Sequence, residues 1–402
     1  MPSNRLPTIA LLWSQFAAYH VDRCEAVARR LDGRAEVLAV EVASSSALYA
    51  WEASGAIAGA RKVTLFAGRS YEGIPRWHRL AAQFRLLRRS RMVFVGIGYD
   101  QPDVIALSWL LWLWGVRVVL LSESKFDDSP RRLGFELFKS LALAPYCAAI
   151  VGGRRHMDYL RMLGFRRRKV LPGYDGVSIE RVRAQGGGAL APDGTAFAAR
   201  PFIFVGRFVE KKNLLELIEG YGAYAQTTGA PPRRLVLVGS GPLEGAIRKR
   251  AGELGIAGTV DFPGFLGAQE VSRRLADALA LVLVSSVEQW GLVVNEALAF
   301  GLPVILSGPV GSRDALVRNL VNGYVLENGS IEGLARAMTN LAENETLWRA
   351  MVEASHRRAW MGDVERLADA AETLLEPGAQ PAARRIARFL GELGQEPQRG
   401  SA

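Results

Sequence analysis

Six short apolar, β-branched runs punctuate the first half of the chain: TIALLW, AEVLAVEV, KVTLFAG, MVFVGIG, VRVVLLSES and AAIVGG. Five more, PFIFVGRF, RRLVLVGSG, TVDFPGF, ALVLVSS and LPVILSG, follow in the second half, and amphipathic segments separate nearly all of them. Apolar runs without polar alternation read as strands buried on both faces, and their alternation with helices predicts parallel βαβ units sheathed by helices on both sides. At 402 residues the chain is too long for one hydrophobic core and suits two. Between the two series lies QGGGALAPDGTAFAAR, residues 185–200, whose Gly, Ala and Pro content predicts a flexible connector. The predicted organisation is therefore a first domain over 1–184, the connector over 185–200 and a second domain over 201–358. Helices over 359–402 would follow, with Trp360 to Leu375 able to pack back on the first domain.

Composition narrows the classes. Hydrophobic residues at 49% and charged residues at 22% exclude a disordered or fibrous chain. Two cysteines, Cys24 and Cys147, in apolar helical contexts, read as buried fillers in a reduced, cytoplasmic compartment, with no metal-ligand spacing around them. The apolar start of the chain lacks a cleavage site and reads as a first buried strand rather than a signal peptide. Val104 to Leu121, the most apolar stretch, is broken by Gly115 and Arg117 and reads as a buried helix followed by a buried strand, not a membrane span. The net charge of +10 draws the molecule to anionic partners. Its arginine knots, Arg85 to Arg91 and Arg166 to Lys169 among them, lack the interleaved aromatics that stack bases, so an anionic membrane surface is expected and nucleic acid is not.

Three groups of residues carry chemistry. In the second half, Gly206-Arg207 ends the strand PFIFV, with Lys211-Lys212 just beyond, and Gly239-Ser240-Gly241 ends a neighbouring strand. Glycine at the carboxyl end of a parallel strand lets a phosphate approach the backbone, and Arg and Lys neutralise it. Further on, Glu288 and Glu296 stand eight positions apart, with Gly291-Leu292 and a predicted helix start between them. Amides at that start face an anion, while the carboxylates accept hydrogen bonds from sugar hydroxyls, as a ligand bearing both hydroxyls and phosphates requires.

With GRFVEKKNL, VLVGSGPL, VDFPGF, EQWGLVVNEALAFGLPVI and NGYVLENGS in this order, residues 202–334 resemble the family-4 retaining glycosyltransferases with their E-x7-E element. The resemblance implies the α/β GT-B architecture, two Rossmann-like domains with parallel sheets facing a central cleft, and transfer of a sugar from a nucleotide-sugar to a saccharide or lipid-linked saccharide in bacterial surface polysaccharide or lipopolysaccharide assembly. Arg207 and Lys212, or Lys211 in its place, would hold the donor diphosphate, Glu288 the transferred sugar and Glu296 the ribose. Gly206, Gly239, Gly241, Gly291 and Leu292 would line the donor, and Gly264 and Phe265 would lie beside the base. A UDP-sugar is the expected donor with a GDP-sugar as the alternative, and no tightly bound metal or cofactor is implied. The expected location is the cytoplasm, peripheral on the inner face of the cell membrane.

The resemblance thins in the first half. Gln15, Tyr19, His20 and Arg23 replace the glycine-rich loop that many relatives carry after the first strand, and Glu123 and Lys125 stand where many carry a histidine. These residues and His156 are the acceptor-side candidates. A GT-B-type epimerase and a non-catalytic sugar-nucleotide sensor are the competing readings.

Overall fold

A computed structural model describes residues 6–47 and 54–394, which form two compact units. The first comprises the chain up to Ser178 together with Val364–Gly394; the second runs from Ile179 to Asp363.

In the first unit the order is β1 (Thr8–Trp13), α1 (Ala18–Arg30), β2 (Glu36–Ser45), β3 (Ala60–Ser70), α2 (Arg76–Leu87), β4 (Met92–Val95), α3 (Pro102–Leu113), β5 (Arg117–Ser122), α4 (Leu133–Ala142), β6 (Tyr146–Val151), α5 (Arg154–Leu160) and β7 (Lys169–Pro172). Its seven strands are parallel in the order β3-β2-β1-β4-β5-β6-β7. Alternate side chains feed two cores. Ile9, Leu11 and Trp13 pack with α1 on one face, and Ala10 and Leu12 pack with α3 and α5 on the other.

The second unit begins with α6 (Ile179–Gln185) and continues β8 (Phe202–Val205), α7 (Leu214–Thr227), β9 (Leu235–Val238), α8 (Glu244–Glu253), β10 (Val260–Gly264), α9 (Ala268–Ala276), β11 (Ala280–Leu283), α10 (Val293–Ala299), β12 (Val304–Ser307), α11 (Arg313–Leu316), β13 (Gly323–Leu326), α12 (Ile331–Glu343) and α13 (Glu345–Arg358). Its six parallel strands run β10-β9-β8-β11-β12-β13. Every residue of β9, β11 and β12 is buried, which is why these strands read as unbroken apolar runs. Pro263 is tolerated because β10 is an edge strand, where the register shifts between Asp261 and Gly264.

Two helices, α14 (Glu365–Leu375) and α15 (Gln380–Gly394), complete the first unit. Arg34, in the turn after α1, holds α14 through Glu372 at 2.9 Å and Glu376 at 3.0 Å, and Arg30 at the end of α1 pairs with Glu365 and Asp369. Residues 185–200 lie inside the second unit. They are secured by Arg200, which is fully buried and donates to the carbonyls of Asp193, Thr195, Ala276 and Ala278 at 2.7 to 3.0 Å.

Two expectations fail. Cys24 is a buried filler of α1, but Cys147 lies in β6 rather than a helix and is exposed, although Tyr146 before it and the rest of the strand are buried. The apolar stretch after Val104 does form helix then strand, yet only Val104, Leu107 and Leu111 of its large apolar helix residues are buried; Trp112, Leu113 and Trp114 at the helix end are exposed. No helix among the described residues is long and apolar enough to cross a membrane.

Candidate functional site

In the second sheet the strand order reverses between β8 and β11, so the loops leaving these neighbours diverge and open a crevice at their carboxyl ends. The second-half candidates collect there, on the exits of β10, β9, β8 and β11 and on α10.

Gly206 follows β8, and its carbonyl lies so close to Gly239 that a Cβ on Gly239 would stand 1.9 Å from that oxygen. With φ at +132° as well, position 239 admits only glycine. The close approach is fixed by two bonds, Gly206 N–H to Val238 O at 3.0 Å and Gly239 N–H to Gly264 O at 2.9 Å. The exits of β8, β9 and β10 are thereby laced into one platform. Arg207 and Lys211 are exposed on it. Phe265 is 78% exposed just past β10.

Lys212 ends a single helical turn, Glu210–Lys212, and turns back. Its ammonium pairs with the Glu288 carboxylate, and the two side chains are 14% and 13% exposed. Ser285 donates to the same carboxylate oxygen at 3.1 Å. Lys211 reaches the same loop only with its carbonyl, which accepts from Ser286 N–H at 2.9 Å. Of the two lysines, the side chain of Lys212 is the one that meets the acidic element.

The loop from Glu288 to Gly291 is fixed on both flanks. Glu288 O accepts from Gly311 N–H at 3.1 Å and Trp290 O from Ser312 N–H at 3.0 Å. The buried Trp290 indole donates to Asn295 Oδ1 at 2.9 Å, and Asn295 donates on to Gly362 O at 2.9 Å. Gly291, at φ +93°, makes the turn into α10, with Leu292 before the first helical residue and half-buried Glu296 in its first turn. Both acids of the E-x7-E element and the Lys212 cation are thus held on one rigid edge, partly open to solvent.

The first-half candidates are placed differently. Gln15 is buried and donates to Ser44 O at 3.3 Å. His156 is fully buried and caps its own helix, accepting from Gly153 N–H at 3.2 Å through Nδ1. Lys125 is fully buried against Asp128 at 2.7 Å and Asp127 at 3.2 Å, so these two acids hold a buried cation. His20 accepts from Ala17 N–H at 2.9 Å, and burial, aided by Arg23, pushes its pKa well below the usual histidine value.

Arg23 itself is fully buried, sandwiched 4.8 Å from the Tyr19 ring and 4.6 Å from the Tyr174 ring, and 3.6 Å from Asp175. Burial and the adjoining Glu123 carboxylate raise the Asp175 pKa well above the ordinary range. Tyr19, His20, Arg23 and Glu123 therefore do come together, with Tyr174 and Asp175, which sequence reasoning passed over. The available signal was an acid flanked by glycines, Gly173-Tyr174-Asp175-Gly176, at the exit of a strand. Gln15, Lys125 and His156 each have a separate structural partner.

Residues 199–358 match the family model for glycosyl transferases group 1. The lipopolysaccharide core biosynthesis glycosyltransferase LpsE of Rhizobium meliloti is 33% identical over 153 residues, which is 38% of this chain and 42% of that relative, so the match spans less than half of its length. Among solved structures, Anabaena Alr3699/HepE in complex with UDP and glucose is similar with a TM-score of 0.66 at 17% identity, covering 92% of this chain and all of that one. The lipopolysaccharide outer core galactosyltransferase WaaB, in its apo form, has a TM-score of 0.64 at 16% identity, covering 92% and 99%. The two parallel α/β units have the GT-B fold, and residues 199–358, which carry the whole platform just described, are the stretch that matches glycosyl transferases group 1.

Proposed function

We propose that the protein is a retaining glycosyltransferase that takes its sugar from a nucleotide-sugar held on the β8–β11 edge of the second unit. The carrying observation is the Lys212–Glu288 pair at the strand-order reversal, inside the stretch that matches glycosyl transferases group 1. The name of the Rhizobium relative, which places it in lipopolysaccharide core biosynthesis, supports a saccharide or lipid-linked saccharide of the bacterial surface as acceptor. The UDP and glucose in the Anabaena neighbour support a UDP-sugar as donor. The setting is the cytoplasmic face of the membrane, where such acceptors are assembled.

In this reading Arg207, exposed beside the Gly206–Gly239 platform, and Lys212 receive the diphosphate, and Lys212 shares its charge between Glu288 and the phosphate. As the bond from the anomeric carbon to the phosphate oxygen breaks, negative charge grows on the diphosphate beside these two cations. Groups held in place before reaction stabilise that charge most. The acceptor oxygen bonds to the anomeric carbon on the same face and its proton passes to the departing diphosphate, so positioning and charge stabilisation do the work. Glu288 accepts from the sugar hydroxyls, Glu296 from the ribose, and Phe265 offers an apolar surface to the base.

The test is nucleotide release by the purified protein from a panel of UDP-, GDP- and ADP-sugars, with bacterial glycolipids as acceptor and Glu296→Ala as control. Release with one donor, lost in the control, supports the reading and names the donor. A folded protein that releases nucleotide from none of them refutes it.

A further inference from the structure

Helix α4 is inside out. Its polar side chains, Glu136, Lys139 and Ser140, are the half-buried ones, while Leu133, Phe135, Leu137, Phe138 and Leu141 are exposed; of its ten residues only Ala142 is buried. The inversion is fastened from below. Tyr159 on α5 donates to Glu136 at 2.7 Å and accepts from Arg131 at 2.8 Å and Lys139 at 2.9 Å, and Lys139 pairs with Glu136 at 3.0 Å. A helix fixed by its polar stripe must present its apolar stripe outward, and a contiguous apolar face of this size marks an interaction surface.

The surroundings say which partner suits it. Helices α3, α4 and α5 cross over in one direction along β4-β5-β6-β7, so the right-handed rule places them on the same face of the sheet. Exposed Trp112 and Trp114 at the end of α3 therefore share that face. Residues 125–168 hold ten basic side chains against four acidic ones. The turn Arg161–Phe165 packs on α4 and leads into Arg166 and Arg167. Among the described residues, Arg132, Arg166 and Arg167 are exposed and make no ion pair. Leucine and phenylalanine on an outward helix stripe, tryptophans beside it and unpaired arginines around it are complementary to an anionic lipid surface. The rings and aliphatic chains enter the acyl boundary while the guanidinium groups stay with the phosphates.

We infer that α4 is a membrane-docking helix that inserts its Leu133–Leu141 face into the interface of an anionic bilayer. This goes beyond the donor site and is read without turnover, so it stands or falls independently of the transferase assignment.

Flotation of the full chain with vesicles of phosphatidylcholine alone, or of phosphatidylcholine with phosphatidylglycerol, tests it. The wild type is expected to float with the anionic vesicles. Leu137→Glu/Leu141→Glu, at exposed positions, should weaken binding by roughly tenfold or more with an unchanged circular dichroism melt. Arg166→Glu/Arg167→Glu should abolish the preference for anionic over neutral vesicles. Absence of wild-type binding, or equal binding by the helix variant, overturns the inference. So does a wild type that dimerises through this face, monomeric in the helix variant, and ignores lipid.

Discussion

The two parallel sheets reverse their strand order at the same place, between β1 and β4 in one and between β8 and β11 in the other, and each gathers charged residues at the carboxyl ends of its strands. What differs is how those charges are satisfied. In the first unit Arg23 and Lys125 are fully buried on partners of their own unit. In the second, Arg207 and Lys211 are exposed, and Lys212, Glu288 and Glu296 are half-buried on a loop braced from behind. A charge completed by the fold stabilises the fold; a charge kept in place but left open is available to a ligand.

The largest expected effect is on turnover. Arg207→Ala should lower transfer by about 10²–10³-fold, the usual consequence of removing one group aimed at developing charge. Its melting temperature should stay within about 2 °C, because an exposed side chain supports little of the fold. Steady-state rates and a thermal melt on one preparation separate the two units' behaviour. Equal losses of both would break the comparison.

In the first unit the signature should invert. Arg23→Ala leaves Asp175 and the two flanking rings without their cation, and urea denaturation should report a loss of about 3–5 kcal/mol. Where the variant is still folded, donor binding should persist.

A smaller effect concerns pH. Because burial depresses the His20 pKa, the neutral imidazole's contribution is complete above the unfolded value of about 6.5 and is lost as pH falls below it. His20→Gln should flatten the stability profile between about pH 6.5 and 5, while reducing stability at pH 8 by about 1 kcal/mol through the lost capping bond. Stability curves against pH for both proteins decide this, and parallel curves would remove His20 as the titrating group.

The smallest expected change is at Phe265. Its ring is exposed, so Phe265→Ala should leave the melt unchanged and raise the donor KM several-fold, as loss of about 1 kcal/mol of stacking would. An unchanged KM would take the base away from this residue.

Eleven of the thirteen strands were legible: nine because a largely buried strand leaves an apolar run, and the half-buried edge strands β3 and β10 because Val63, Leu65 and Phe66 in one and Val260 and Phe262 in the other still write one. The two that were not, β7 and β13, are edge strands of four residues. β7 emerges from three arginines and ends in a proline, and β13 begins in a glycine, so neither writes a run. The second-half candidates were legible because their determinants are local: glycines at strand exits and two acids at fixed spacing. The surroundings of the first-half candidates were not legible, because what Arg23 meets depends on partners such as the Gly176 carbonyl, 153 positions away. Nor does spacing choose between Lys211 and Lys212; a hydrogen bond from Ser286 to the backbone of one and an ion pair from Glu288 to the side chain of the other do.

Under the proposed function, the open charges of the second unit hold the donor and the closed charges of the first do not. Calorimetric titration of UDP and GDP into the wild type, Lys212→Ala and Arg23→Ala tests it directly. One nucleotide is expected to bind the wild type, Lys212→Ala to weaken that binding by roughly tenfold or more through loss of a charge-assisted phosphate contact, and folded Arg23→Ala to bind as the wild type does. Unchanged binding by Lys212→Ala together with lost binding by folded Arg23→Ala would contradict it.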